Sequence, residues 1–94
     1  MTVYVVDSRF PTGKLSATSN ALAQISEKDI QFALFRHSTG DWGDLDEADR
    51  AANEAALRED KRLLSQYTDE KGTPFWIITE WDRSATIVLL PEDY

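Results

Sequence analysis

The chain has 94 residues, 41% apolar and 11% aromatic, which is enough for one small core and too much for a disordered chain. It has no cysteine, so disulfides, thiolate metal sites and a cysteine nucleophile are excluded, and the fold must stand on packing, as suits a reducing cytoplasm. Seventeen acidic residues against ten basic ones give a net charge of -7, which opposes direct binding to nucleic acid or an anionic membrane and also keeps a small protein soluble.

Thr2 to Val6 is β-branched and aromatic and predicts a first strand; with no basic segment ahead of it, it does not read as a signal peptide. No apolar run reaches the roughly 18 residues of a membrane span. Ser8 to Gly13, with Pro11 and Gly13, reads as a loop. Thr18, Ser19 or Asn20 then caps a short helix carrying Ala21, Leu22 and Ile25. Ser26 with an acid three residues on is a second N-cap, and the helix after it buries Ile30, Ala33 and Leu34 at i, i+3, i+4 spacing. That helix ends before Gly40, with Arg36 and His37 as last-turn cations against the dipole.

Asp41 to Leu45 is a turn-rich connector, and Asp46 caps a third helix that runs to about Glu59. Its expected buried stripe is Ala48, Ala51, Ala52, Ala55 and Ala56 with Leu57, and Glu54 and Arg58 form an i, i+4 pair. The last third is β: Arg62 to Thr68, a turn through Gly72, Phe75 to Trp81, a tight link at Asp82 to Ser84, and Ala85 to Leu90 stopped by Pro91. Short links make this a three-stranded antiparallel meander, which the N-terminal strand joins. The expected fold is a single α+β domain over residues 1–94, of β-α-α-α-β-β-β order. It has an antiparallel sheet of three to four strands with helices on one face.

Three stretches carry a resemblance: Arg36-His-Ser-Thr-Gly-Asp-Trp-Gly-Asp44, Asp49-Arg-Ala-Ala-Asn53, and Phe75 to Thr86 continued by Leu89-Leu-Pro-Glu-Asp-Tyr94. Together they cover about two-thirds of the chain and resemble a family of small bacterial proteins carried largely on plasmids, integrated elements and phages, often labelled plasmid-related. The family usually has Ala where this chain has Trp81. The resemblance implies a mobile-element setting and supplies no catalytic residues.

His37, the only histidine, would have to serve any Ser-His-Asp arrangement, with Ser38 or Ser84 as nucleophile, yet no Gly-x-Ser-x-Gly turn is present. Its structural alternative is a hydrogen-bonded residue at a helix end. Gly40 and Gly43 lack the Gly-Lys-Ser/Thr end of a phosphate loop. Asp41, Asp44, Asp46, Glu47 and Asp49 crowd five acids together before Arg50. Helix capping and dipole complementation account for Asp46, Glu47 and Asp49. The spacing fails the calcium-loop pattern at Gly43 and Ala48, so neither metal nor cofactor is expected.

A third reading makes the cluster an anionic face for a basic partner, since carboxylates can imitate a line of phosphates. Trp42, in the same turn, is either a lid on the core or an interface anchor. Trp76 and Trp81, five apart on one strand, should face opposite ways.

These residues support three functional expectations. The first is a non-enzymatic acidic binding protein of a mobile element, of anti-CRISPR or anti-restriction type. It would act in the cytoplasm on a basic, nucleic-acid-binding protein through Asp41, Trp42, Asp44, Asp46, Glu47 and Asp49. The second is a small enzyme or ligand-binding domain using the His37 to Asp44 loop. The third is a self-associating module, between monomer and weak homodimer, using an exposed Trp and the edge of the meander.

Overall fold

A computed structural model describes residues 8–94, so the expected strand at Thr2 to Val6 lies outside the described residues. The elements run β1 (Lys14–Ala17), α1 (Ser19–Gln24), α2 (Glu27–Ser38), α3 (Glu47–Arg58), β2 (Leu63–Thr68), β3 (Pro74–Thr79) and β4 (Ala85–Leu89), followed by a 3-10 turn at Pro91–Asp93. The class is α+β, and the described residues form a four-stranded sheet of order β1-β4-β3-β2.

The meander forms as its short links require. Leu63 pairs with Thr79, Tyr67 with Phe75, Ile77 with Val88 and Thr79 with Thr86, all antiparallel. The sheet is nevertheless mixed, because β1 runs parallel to β4 with Lys14 opposite Ala85 and Ala17 opposite Val88. The expectation of a wholly antiparallel sheet is corrected there. A strand that begins before three helices and returns beside the last strand needs a long crossover, and nothing local in Lys14-Leu-Ser-Ala17 signals one. Gly13 makes the entry into β1 possible. Its φ is +64°, and a Cβ on it would land on the Ser84 carbonyl.

Period-two alternation divides the sheet into two faces. Leu63, Ser65, Tyr67, Phe75, Ile77, Thr79, Thr86 and Val88 turn inward and are buried. Helix α1 adds Ala21 and the Ile25 that follows it, and α2 adds Ile30, Ala33 and Leu34, completing the main core. The expected N-caps hold: Thr18 accepts from the Ala21 amide, Ser26 from Asp29 and Asp46 from Asp49. On the outer face the C-terminal turn folds back. Tyr94 meets the Trp76 ring edge-on at 5.7 Å and accepts from Arg62. The Asp93 carboxylate takes hydrogen bonds from Thr18, Asn20 and the Leu90 amide.

Helix α3 departs from its expected packing. Ala48, Ala51 and Ala52 are exposed, and the residue it buries is Asn53. It lies at the β2 end of the sheet, where Ala56 and Leu57 close a second, smaller cluster of Phe10, Trp42 and Leu63. Glu54 does not form the expected ion pair with Arg58. It is held by Arg9 in two parallel hydrogen bonds of 2.9 Å. Trp81 lies in the β3–β4 turn rather than on the strand and is 63% exposed, while Trp76 is half-buried.

Candidate functional site

His37 is wholly buried, on the face of α2 that lies over β2 and β3. Its Nδ1 is hydrogen-bonded to the Ser65 hydroxyl and its Nε2 to Thr79 Oγ1 at 2.8 Å. Thr79 Oγ1 meets Thr86 Oγ1 at 2.7 Å, and Thr86 Oγ1 donates to the Thr12 carbonyl at 2.7 Å. That carbonyl can only accept, and it sets the direction of each bond back to Nε2. Thr86 spends its proton on Thr12, so it accepts from Thr79. Thr79 then accepts from Nε2–H. Burial disfavours the charged ring, so the imidazole is neutral, Nδ1 accepts from Ser65 and the tautomer is Nε2–H.

Phe10 meets the imidazole edge-on at 5.3 Å and Trp42 at 5.8 Å, and the two aromatic rings stack on each other at 6.1 Å. Burial, assisted by the Arg83 charge, pushes the His37 pKa down to about 3. This corrects the expectation of a cationic His37 at the helix end. One recess lies beside α1, α2 and β1 and another between α3 and β2, and His37 lines neither.

Trp42 is 4% exposed and packs on Phe10 and Leu63, so the structure makes it part of the core and not an exposed anchor. Its indole N–H donates to Glu54 at 2.8 Å. With Arg9 on the same carboxylate, these bonds hold the Glu54 pKa down at about 2. The backbone around Trp42 lies along the outer edge of β2. Its carbonyl accepts from the Gln66 amide, the Asp44 amide donates back to the Gln66 carbonyl at 2.7 Å, and Gly43 makes a parallel bridge to Gln66. A Cβ on Gly43 would land on the Gln66 carbonyl oxygen, and its φ of +77° also suits glycine.

The acidic residues divide by what they touch. Asp41 is paired with Arg36 through bonds of 2.7 and 3.2 Å, accepts from the Gly43 amide, and offers its own carbonyl to the Tyr67 hydroxyl. The Arg36 bond holds the Asp41 carboxyl below its ordinary pKa. Asp44 accepts from the Thr68 hydroxyl at 2.8 Å, and Asp46 caps α3. Glu47 and Asp49 stand in the first turn of α3 with side chains in solvent. Arg50 turns its guanidinium to the Leu45 and Gly43 carbonyls. No group of three or more His, Asp or Glu able to hold a metal occurs among the described residues.

Sequence reasoning missed Asn53. Its side-chain amide donates to the Leu64 carbonyl at 2.6 Å, and its oxygen accepts the Leu64 amide at 3.2 Å. One side chain thus makes the two bonds a neighbouring strand would make. The only signal was a polar residue on the apolar side of an alanine-rich helix. No family model, curated protein or solved structure matches the chain. No described helix is long and apolar enough to cross a membrane.

Proposed function

We infer that the protein works by binding another protein through the acidic end formed by Asp44, Asp46, Glu47 and Asp49, and that it is not an enzyme. One observation carries this reading. All four carboxylates are exposed, and none has an ion-pair partner among the described residues, whereas Asp41, Glu54, Glu59 and Glu80 are each paired. A recess of about 290 Å³ lies beside them, lined by Leu45, Asp49, Ala52, Asn53 and Leu64. An apolar recess with an acidic rim suits a basic partner that also presents an apolar side chain. The burial of His37 under Phe10 and Trp42 argues for a structural role for that residue and against a catalytic one. Asp41 and Trp42 serve this surface as scaffold, holding the loop that presents Asp44.

The partner class follows from charge. A groove built for phosphates accepts carboxylates at similar spacing, so a nucleic-acid-binding protein is the natural target. The resemblance to mobile-element proteins supports a host defence protein met in the cytoplasm as that target, with inhibition of anti-CRISPR or anti-restriction type as the proposed outcome. The test uses a fourfold variant, Asp44→Asn, Asp46→Asn, Glu47→Gln and Asp49→Asn. It keeps the cap and the Thr68 acceptor and removes only charge. Wild type should retain a basic nucleic-acid-binding protein from host lysate at low salt and release it at high salt, and the variant should not retain it. Equal retention by both would sink the acidic-face reading.

A further inference from the structure

We propose that β1 is a self-association edge, through which two copies pair antiparallel about a two-fold axis at Ser16. The proposal is independent of the acidic end, which lies at the other edge of the sheet.

The hydrogen-bond pattern defines the edge. Lys14 N–H donates to the Ser84 carbonyl and Thr18 N–H to the Val88 carbonyl, so the even-numbered residues of β1 bond to β4. In a strand the next residue points the other way, so the N–H and C=O groups of Leu15 and Ala17 face outward. Among the described residues no backbone group meets them. An exposed strand edge of this kind is a template for another strand.

The side chains choose a second copy as the occupant. With Ser16 opposite Ser16, Leu15 of each copy lies opposite Ala17 of the other, and the outward groups of both pair in four backbone hydrogen bonds. The same register sets Lys14 opposite the second copy's Thr18. Lys14, Ser16 and Thr18 share the outer face of the sheet, and the Thr18 hydroxyl is bonded to the Asp93 carboxylate at 2.7 Å. Each Lys14 ammonium therefore arrives beside the Asp93 carboxylate of its mate, and the symmetry makes the pair twice. On the inner face, Leu15 and Leu22 are exposed at a recess of about 610 Å³ that also includes Ala17, Ile25, Ile30 and Val88. Pairing would join two such recesses into one mainly apolar seam, with Glu27 as the charged residue in each lining. The meander edge at β2 is closed by Asn53 and the Trp42–Asp44 segment, which moves the expected self-association surface to β1.

The test is sedimentation of the full chain over a wide concentration range, with hydrogen exchange read at the Leu15 and Ala17 amides. The expected result is a concentration-dependent step from one chain to two, with protection of those amides appearing only with the dimer. Lys14→Glu, an exposed substitution, should weaken association by about tenfold or more, since two attractive pairs become repulsive, with the circular dichroism unchanged. A chain that stays monomeric at all concentrations overturns the proposal. So does a dimer indifferent to Lys14→Glu, which would use another surface. Protection of Leu15 and Ala17 in the dilute monomer also overturns it, since the chain itself would then cover the edge.

Discussion

The two edges of the sheet are treated in opposite ways. Along β2, the outward groups of Leu64 are taken by the Asn53 side chain and those of Gln66 by the Trp42–Asp44 backbone, so that edge is closed without a further strand. Along β1, the outward groups of Leu15 and Ala17 meet no described residue, and apolar side chains stand beside them. The contrast shows that two small devices, one side-chain amide and three residues of loop, suffice to end a sheet. It also separates the molecule into an acidic end with its edge shut and an opposite end whose edge meets no described residue.

The contrast can be broken most severely at Trp42. Trp42→Ala removes the indole that packs on Phe10 and Leu63 and releases Glu54, and should cost about 3–5 kcal/mol in urea unfolding. Acid is expected to act next. The folded His37 ring takes a proton only near pH 3, and the unfolded ring does so at 6.5, so the unfolded chain binds more protons between those values. The stability from neutral burial is whole above pH 6.5 and is lost as pH falls toward 3, at up to about 1.4 kcal/mol per pH unit. Glu54 adds the same sign lower down, from 4.5 toward 2. His37→Gln should flatten the slope between pH 6.5 and 4.5, whatever it costs at neutral pH; a slope that persists there would assign it to another group.

Asn53→Ala leaves the Leu64 amide and carbonyl without partners and should cost about 1–3 kcal/mol. It should also produce a second, competing association at the β2 edge, visible as aggregation in light scattering. The smallest effect belongs to the open edge. Leu15→Ala, measured in dilute solution, should change stability by no more than about 1 kcal/mol, because the residue is 44% exposed. A large loss at Leu15 would mean that β1 is as enclosed as β2.

What the sequence made legible was local. The Ser26 and Asp46 caps, the i, i+3, i+4 stripe of Ile30, Ala33 and Leu34, and the turn at Gly72 each lie within a few residues of what they cause. The errors share the opposite property. Lys14-Leu-Ser-Ala17 is a strand only because Ala85 to Val88 lies beside it, a partner that no pattern in those four residues announces. The alanines of α3 looked like a buried face, but the helix is held by Asn53 and by Ala56 and Leu57 against Trp42, a docking that depends on where β2 ends. At the candidate site the acidic composition was legible and its division was not. Asp41 belongs to Arg36 and Asp44 is bonded to Thr68, pairings made across a helix end and a strand. His37 looked the same in sequence whether it faced solvent or a hydroxyl chain.

The parallel pairing of β1 with β4 has a consequence for how the chain is made. Lys14 waits for Ala85, and the Thr18 hydroxyl waits for a carboxylate 75 positions further on. At synthesis rates of about 5–20 residues per second, β1 and α1 spend several seconds outside the ribosome before their partners exist. Closing so long a loop is entropically costly, and contacts of this range slow folding. The meander, whose strands are near neighbours in sequence, should form first, and the arrival of β1 should be the slow step. During that interval both edges of β1 are open, which makes the nascent chain more prone to association than the finished one.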